Sequence, residues 1–585
     1  MLKKINVLLT SKLKFKLIFI FVGNLLVTSL EFLSLASVPL AITILLNSDG
    51  NNLNLPIVGE LFKNVNFDGE VYKIFFIILF FVFLLKNIFF GLILYLEAKF
   101  NLEIRTYFTG KLFKKYSDLP YLFHVNSSPG VLIRNLVDEV AHTCSVIYQL
   151  LVVFRELLLL TVIVILLSIY NETIVFPILF ILGILVFICL KKIKKIIKVR
   201  AKEALFRRGQ INIKASELIG GIKEIKIKGL NDFALKNFNK DVYVAEYNSF
   251  FVKVINSFPR LILEMSSITL IIVLFFIYDY MNYEIDTFLP ILSLVAISAV
   301  RAIPSIGALV ISLNNIIFLS PSVNLIYRDL IEKKGEKLKS EQKTSITLKE
   351  HIELKNIFYK YPGRKKLILK NISLKINKGK KVGIIGSSGS GKSTLLNLIL
   401  GLIHPIKGEV VIDNFKLKEV DVKNWRKQIG YVSQNLFLFD DTLEKNISYG
   451  DTKNDKKKLI RSIKKSNLSD FIKNLPLREK TIIGNNGIKV SGGQHQRIGI
   501  ARALYSNPKI LIMDEATSAL DFKTEDNIMK DMNFKNSDLT AIIVSHRPRA
   551  VKNCDVIYYL ENGKVKDFGS FNKLSKKYKK LKLKN

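Results

Sequence analysis

Six apolar runs in the first 320 residues constrain the fold of this chain most, because each can form a helix that crosses a membrane. A helix needs about 20 predominantly apolar residues to span a bilayer. The fourth run is short, and several of the others are long enough to extend beyond the lipid. The runs cover residues 17–46, 74–96, 146–169, 174–190, 254–278 and 288–319. We therefore expect a transmembrane domain of six helices over residues 1–330.

The connections between these runs indicate how the helices are oriented. Cytoplasmic segments of membrane proteins are enriched in Lys and Arg. The basic segments are 1–16, 98–145 and 191–253, and the short or mildly acidic ones are 47–72, 171–173 and 279–287. We therefore expect both termini in the cytoplasm and a multi-pass protein of the cytoplasmic membrane. The longest external connection, 47–72, has apolar residues at helical spacing, so a short interfacial helix and a disordered loop both remain open.

The formal charge of +38 favours a membrane surface over nucleic acid as the partner of this chain. Clustered Lys and Arg residues neutralise phosphates in nucleic-acid-binding proteins. Here they crowd beside the apolar runs, most densely in "KKIKKIIKVR" at 191–200, where a cytoplasmic membrane surface expects them. We therefore expect no nucleic-acid partner. Cys144, Cys189 and Cys554 are far apart without metal-ligand spacing, which predicts free thiols.

Charged residues interrupt the apolar runs. Ionisable groups at such places usually face the interior of a helix bundle or a water-filled cavity. These residues are Glu31, Lys86, Arg155, Glu156, Arg260, Glu264 and Arg301. Each of them is therefore a candidate for an ion pair or for contact with a ligand.

Spacing along each helix separates these charges into paired and unpaired ones. Arg260 and Glu264 lie one helical turn apart and can pair with each other. Arg155 and its neighbour Glu156 point about 100° apart, so we do not expect them to neutralise each other. Lys86 and Arg301 have no acidic neighbour at helical spacing on their own helices. They are therefore the better candidates for binding an anion.

The second half of the chain contains a phosphate-binding loop. Residues 331–348 are charged, lack apolar periodicity and predict a linker, and residues 349–585 predict an α/β domain. The stretch "GIIGSSGSGKSTLL" at 383–396 lies between a predicted strand and helix and matches G-x-x-x-x-G-K-[ST]. In this pattern Lys392 reaches the outer phosphates and the Ser393 hydroxyl ligates Mg²⁺. The predicted phosphate-binding residues are Gly386, Ser387, Ser388, Gly389, Ser390, Gly391, Lys392, Ser393 and Thr394.

Further polar residues follow predicted strands of this domain. Tyr361 is placed to stack on adenine. Asp514 is suited to hold Mg²⁺, usually through water, and Glu515 to orient and deprotonate the attacking water. Gln434 and His546 are expected on the γ-phosphate side, and Gln434 is also a candidate metal ligand. A second anion site is expected at a helix start in "VSGGQHQR". Its residues are Ser491, Gly492, Gly493 and Gln494.

The order of these motifs resembles the nucleotide-binding domain of ATP-binding cassette transporters. With six preceding membrane helices, the whole chain resembles an exporter-type half-transporter with ATP and Mg²⁺ as cofactors. The resemblance implies a homodimer in which each ATP lies between the phosphate loop of one chain and residues 491–494 of the other. It also implies short coupling helices near 118–125 and 231–241. Val490, His495 and Asn485 depart from the usual motifs, and Asn485 puts the coupling contact at that point in doubt.

Within the exporters, the membrane half resembles flippases for lipid-linked oligosaccharides. The matching pieces are Lys86, "SFPRLILE" around Arg260 and "VRAIPS" around Arg301. The resemblance implies that these cations meet the pyrophosphate of a polyprenyl-linked glycan. One alternative is a general lipid, drug or peptide exporter in which the cations pair with carboxylates such as Glu31. Another is an ATP-gated channel or regulatory subunit, against which the intact Glu515 argues.

Overall fold

A computed structural model describes the protein at residues 1–46, 71–170, 172–280, 285–333, 344–453, 455–484, 490–516, 520, 522–531 and 538–578. Its contacts divide the chain into two units. One comprises Met1–Leu119 and Phe123–Glu336, and the other comprises Pro120–Leu122 and Lys337–Asn585. The first is helical and the second is an α/β unit. The predicted external segment 47–72 lies almost wholly outside the described residues.

The helical unit is built from long helices that contain the six predicted membrane runs. In chain order the helices are α1 (Leu2–Leu8), α2 (Ser11–Leu46), α3 (Val71–Ser117), α4 (Tyr121–Val125), α5 (Pro129–Arg134), α6 (Val140–Tyr170), α7 (Glu172–Gly220), α8 (Ile222–Ile227), α9 (Asn231–Tyr280) and α10 (Ile285–Tyr327). Two π-helical turns interrupt this series, Asn135–Glu139 before α6 and Arg328–Glu332 after α10. The apolar runs thus form single helices that extend well past the length needed to cross a bilayer.

Apolar side chains hold the helical unit together on its inner faces. Phe108 and Leu112 of α3 pack with Val140 of α6 and Ile326 of α10 in one buried cluster. The outer faces are apolar as well, as Phe80 and other large side chains of α3 are exposed, and this is the pattern expected of lipid-facing helices. Where side chains are described, four stretches are long and apolar enough to cross a membrane. They are Ser11–Pro39, Lys73–Ser117, Pro129–Ile169 and Ser293–Glu332.

The short helices between the long ones differ in part from the prediction. Helix α4 lies inside the predicted segment 118–125. The second predicted segment, 231–241, is instead the beginning of α9, a helix of 50 residues. The short helix of that connection is α8. It is bounded by Gly221 and by Gly229, whose φ of +64° ends it in a left-handed conformation.

The α/β unit contains two sheets joined by helices. Its strands are β1 (His351–Tyr359), β2 (Leu369–Asn377), β3 (Lys381–Gly386), β4 (Lys407–Ile412), β5 (Phe415–Lys416), β6 (Ile429–Val432), β7 (Ile510–Asp514), β8 (Thr540–Ser545), β9 (Val556–Glu561) and β10 (Lys564–Gly569). Its helices of five residues or more are α11 (Lys392–Ile399), α12 (Val422–Lys427), α13 (Leu443–Ile447), α14 (Lys456–Lys465), α15 (Ser469–Lys473), α16 (Gly492–Tyr505), α17 (Phe522–Asp531) and α18 (Phe571–Lys577).

The order of the strands explains where a site can form. The smaller sheet is antiparallel with the order β2-β1-β4-β5, and the larger has the order β10-β9-β3-β8-β7-β6. Strands β9, β3, β8, β7 and β6 run parallel. Their carboxyl ends therefore meet at one edge of the sheet, where ligands of open α/β sheets bind. The phosphate loop, Gln434, Glu515 and His546 follow β3, β6, β7 and β8, whereas Tyr361 and residues 491–494 lie elsewhere in this unit.

Candidate functional site

The phosphate loop joins β3 to α11 and depends on glycine at its first position. A Cβ on Gly386 would lie 2.4 Å from the carbonyl oxygen of Leu560 and 2.7 Å from Oγ of Ser390. No side chain can be placed there without moving the backbone of β9. Gly391 precedes α11 with a φ of +100°, a left-handed backbone conformation that favours glycine. The loop is thus held close to the sheet.

Lys392 and Ser390 give the loop unused capacity to bind an anion. The Lys392 ammonium donates hydrogen bonds to the carbonyl oxygens of Gly386 and Ser387, each at 3.0 Å. Burial lowers the pKa of this lysine, while the nearby carboxylates of Glu515 and Asp514 raise it. Within the described part of the chain, the buried hydroxyl of Ser390 has no hydrogen-bond partner. An unpaired donor beside an ammonium fits a phosphate group.

Asp514 is the last residue of β7 and lies 4% exposed beside the loop. Burial raises the pKa of this carboxyl, and the charge of Glu515 adds to the rise. The Ser393 hydroxyl is hydrogen-bonded to Asp514 and lowers its pKa, as does the Lys392 ammonium. The two predicted metal ligands Ser393 and Asp514 are therefore adjacent. A buried carboxylate of this kind gains most from a cation placed next to it.

Glu515 lies where Gln434 and His546 meet. The Gln434 amide donates to Oε2 of Glu515 at 2.8 Å, and Nδ1 of His546 lies 3.2 Å from Oε1. The backbone of Glu515 has a φ of +52°, a left-handed conformation that is rare outside glycine and is often found at functional sites. Its N–H donates to the carbonyl of Val544 at 2.9 Å, which fixes this turn on β8. The carboxylate is thus oriented from both sides.

The donor set near Asp514 suits a cation that shares its ligands with phosphate. In the described ranges no three His, Cys, Asp or Glu side chains are close enough together to hold a metal ion by themselves. Mg²⁺ is usually held by one or two carboxylates together with substrate phosphates and water. The neighbouring hydroxyl of Ser393 and carboxylate of Asp514 fit that arrangement. The amide nitrogen of Gln434, in contrast, is already bonded to Glu515.

The remaining nucleotide residues lie near the loop or on another helix. Tyr361 follows β1, and its hydroxyl lies 3.4 Å from Oγ1 of Thr394 in α11. Ser491 caps α16: its hydroxyl accepts from the N–H of Gln494, whose side-chain oxygen accepts from the N–H of Ser491. Ser491 and Gly492 are exposed. For the residues that the structure describes, no hydrogen bond or ion pair joins this cap to the phosphate loop of the same chain.

In the helical unit, Lys86 and Arg301 share an acidic partner that lies on another helix. The Lys86 ammonium lies 3.0 Å from Oε2 of Glu31, and Nε of Arg301 lies 3.2 Å from Oε1. The partner is on α2, whereas the spacing argument considered only neighbours on the same helix. Lys86 and Glu31 have side chains only 3% and 8% exposed, and that of Arg301 is 44% exposed. The side chain of Arg260, in α9, lies outside the described ones.

The expectation that Arg155 and Glu156 do not neutralise each other is wrong. Nε of Arg155 lies 3.2 Å from Oε1 of Glu156, because the long, flexible arginine side chain can reach a neighbour that starts about 100° away on α6. A second carboxylate, Glu97 of α3, lies 3.0 Å from the same guanidinium and accepts from Asn24 of α2. Glu97 directly follows the predicted run 74–96. Its position at the end of an apolar run was the only signal in the sequence.

Comparison with known proteins identifies the family. The family described as "ABC transporter transmembrane region" matches residues 17–297, and the one described as "ABC transporter" matches residues 369–518. The chain is 30% identical over 477 residues to the "ATP-dependent lipid A-core flippase" of Wigglesworthia glossinidia brevipalpis, covering 80% of each protein. This chain belongs to the ABC transporter family. It is an exporter-type half-transporter, a multi-pass membrane protein with a cytoplasmic ATP-binding domain that works as an ATPase.

Other relatives agree with this assignment over different parts of the chain. A putative multidrug export ATP-binding/permease protein of Bacillus subtilis is 38% identical over 223 residues, which are 38% of each chain. The structure of "a bacterial Atm1-family ABC exporter with ATP bound" matches with a TM-score of 0.81 and 20% identity, covering 97% of this chain and 96% of that one. At this identity the likeness shows the fold. The predicted exporter fold is confirmed.

Proposed function

We propose that this half-transporter acts as a homodimer that hydrolyses ATP with Mg²⁺ and moves a polyprenyl-pyrophosphate-linked oligosaccharide across the cytoplasmic membrane. The observation that carries the hydrolytic part is the carboxylate of Glu515, held at 2.8 Å by Gln434 and at 3.2 Å by His546. A carboxylate fixed in this way is suited to orient and deprotonate a water molecule. Glu515 is therefore the proposed base, with Gln434 and His546 on the γ-phosphate side.

The phosphate loop and its neighbours would hold the nucleotide. The backbone of residues 386–391 and the Lys392 ammonium would bind the phosphates, and Tyr361 would stack on adenine. Ser393 and Asp514 would hold Mg²⁺, which supplies positive charge to the phosphate oxygens when it is bound. Gln434 remains a proposed ligand only if its amide turns its oxygen toward the ion. Such a turn would give up the hydrogen bond to Glu515.

The second copy of the chain would complete each site. In the turn at residues 491–494, Ser491 and Gly492 are exposed. The first N–H groups of a helix have no carbonyl partner within the helix. The N-terminus of a helix attracts anions. We infer that the turn of one chain closes over the phosphates bound by the other, which accounts for the lack of described contacts between the turn and its own loop.

The substrate part of the proposal rests on Arg301. Glu31 carries one negative charge against the two positive charges of Lys86 and Arg301, so this cluster has a net charge of +1. Lys86 is buried against Glu31, whereas the half-exposed Arg301 is open to a further partner. A charged group in a membrane is costly and usually functional. A phosphate on a lipid headgroup is a suitable partner, and the relative from Wigglesworthia is named as a lipid flippase.

A general exporter of lipids, drugs or peptides is the second candidate. The ion pairs of Glu31 with Lys86 and Arg301 favour it, because they give each cation an acidic contact without any ligand. The relative from Bacillus subtilis is named as a putative multidrug exporter. The two candidates differ in whether the substrate must carry a phosphate.

An Arg301→Gln variant in proteoliposomes distinguishes the two candidates. Lys86 still neutralises Glu31 in this variant, so the fold is expected to be kept. We expect flipping of a polyprenyl-pyrophosphate-linked oligosaccharide to fall about tenfold or more, because a hydrogen bond between charged groups is lost. Basal ATPase should stay, and Arg301→Lys is the control that keeps the charge. Adding Lys86→Gln and Arg260→Gln should abolish flipping.

Two results would turn the assignment toward the general exporter. One is normal flipping by the triple variant. The other is stimulation of the wild-type ATPase only by lipids and drugs that lack phosphate. Either result would remove Lys86, Arg260 and Arg301 from the proposed substrate site.

A further inference from the structure

Three buried polar side chains join the cytoplasmic ends of three helices in the membrane unit. The Tyr116 hydroxyl, in the last turn of α3, donates to Oδ2 of Asp329 at 2.7 Å and accepts from Nδ2 of Asn135 at 3.0 Å. Tyr116 and Asn135 are each 4% exposed and Asp329 is 0% exposed. We call these three residues the Tyr116 cluster. They connect parts of the chain that are far apart in the sequence.

The other two members of the cluster, Asn135 and Asp329, lie in π-helical turns. Asn135 opens the turn Asn135–Glu139, and Asp329 is the second residue of the turn Arg328–Glu332. A π turn inside or beside a long α-helix is uncommon and is frequently found at functional sites. Both π turns contact the same tyrosine hydroxyl. The backbone therefore departs from regular α-helical geometry on each side of this contact.

The buried carboxylate of Asp329 also contacts two cations that lie outside the cluster. The ammonium of Lys333 lies 2.8 Å from Oδ1 of Asp329, and the guanidinium of Arg328 lies 3.6 Å from the same oxygen. Both cations are partly exposed, whereas the carboxylate is fully buried. A buried ion pair contributes little to stability compared with apolar packing of the same volume. Stability alone therefore does not explain why Asp329 is placed there.

The chain connections to the ATP-binding unit begin beside the cluster. The ring of Phe123 stacks on Tyr116 at 6.0 Å and also lies 4.9 Å from the Lys333 ammonium. Phe123 directly follows Pro120–Leu122, the segment that groups with the ATP-binding unit. Lys333 directly follows the last helical turn of the first unit, Arg328–Glu332. The longer segment of the second unit begins at Lys337. Each passage of the chain between the units thus starts within a few residues of the cluster.

We propose that the Tyr116 cluster is a latch between α3 and α10 that opens when ATP binds. A rearrangement of the ATP-binding unit reaches the cluster along two separate connections, through Phe123 on one side and Lys333 on the other. The hydrogen bond from Tyr116 to Asp329 spans these two sides. The additional contact from Asn135 to Asp329 is longer, at 3.4 Å, so the Tyr116 hydroxyl makes the shorter polar link to this carboxylate. Opening would let the ends of α3 and α10 move independently.

Hydrogen–deuterium exchange followed by mass spectrometry tests this latch in the full chain reconstituted in lipid nanodiscs. The probe is an ATP analogue that is not hydrolysed, with its binding measured in the same sample. We expect the analogue to speed backbone exchange in both π turns. Tyr116→Phe removes only the hydroxyl and should speed exchange about fivefold without the analogue, which is the loss expected for one hydrogen bond. The analogue should then add little.

Tyr107→Phe is the matched control, because Tyr107 lies on the same helix and its hydroxyl accepts from the Lys111 ammonium, at 2.9 Å, with no other partner among the described residues. Its exchange should follow wild type with and without the analogue. Asp329→Asn is the second variant, since it keeps an acceptor for Tyr116 but loses the attraction for Lys333, and it should give a smaller increase. The proposal is overturned if bound analogue leaves exchange unchanged in the wild-type chain, or if Tyr116→Phe keeps the full response to it. The test uses no transported substrate, so its failure would leave the proposed function untouched.

Discussion

Glu31→Gln should destabilise the membrane unit more than any change to its two partners. The carboxylate of Glu31 is the ion-pair partner of Lys86 from α3 and Arg301 from α10. Glutamine keeps the shape of the side chain but removes its charge. The Lys86 ammonium, whose side chain is 3% exposed, then lies buried without the carboxylate that neutralises it.

The exposure of each side chain sets the expected magnitudes. Breaking a buried pair by removing one partner costs about 3–5 kcal/mol, because an uncompensated charge remains buried. Arg301→Gln should cost about 0–1 kcal/mol, since the Arg301 side chain is 44% exposed and reaches water. Replacing the pair Glu31 and Lys86 by Gln and Met should cost little, because no buried charge is left.

Thermal unfolding of the purified protein in detergent measures this order. The fraction that stays monodisperse after heating is determined by size-exclusion chromatography for wild type, Glu31→Gln, Arg301→Gln and the variant with both Glu31→Gln and Lys86→Met. We expect Glu31→Gln to lower the midpoint by about 5–10 °C, and the other two to stay near wild type. A Glu31→Gln midpoint equal to wild type, or a double variant as unstable as the single one, would refute the reasoning.

Three further predictions concern the ATP site. Glu515→Gln should keep nucleotide binding, trap a closed dimer and slow hydrolysis by a factor of about 100 or more, and full turnover would exclude this role. A mixture of chains lacking either Lys392 or Ser491 should hydrolyse ATP partially, whereas each variant alone should be inactive; normal activity of either alone would contradict shared sites. Asp514→Asn should raise the unfolding midpoint of the nucleotide-free ATP-binding unit near neutral pH, because burial raises the pKa of this carboxyl and so penalises its ionised form. The gain should shrink as the pH falls toward about 4, where the carboxyl begins to be protonated in the unfolded chain as well. The fluorescence of Trp425, the single tryptophan, reports the midpoint, and a lower midpoint of Asp514→Asn than of wild type at both pH values would contradict the prediction.

The sequence by itself determined the parts of this protein that depend on local pattern. The apolar runs predict membrane helices because bilayer thickness fixes the length of a span. The glycines of the phosphate loop predict that its backbone passes close to a neighbouring segment. At Gly386 there is no room for a Cβ, because the backbone of Leu560 is too near. The position of Asp514, Glu515 and His546 after apolar strands places them at one sheet edge, since parallel strands end on the same side.

Only the tertiary structure decided which side chains meet. Gln434 and His546 both contact the Glu515 carboxylate, although nothing in their spacing distinguishes this from separate contacts with phosphate. In the membrane unit, helical spacing could test partners only along one helix. Glu31 pairs with Lys86 and Arg301 across three helices. An ion pair depends on distance in space, and the packing of the helices fixes that distance through contacts between residues that are remote in the sequence.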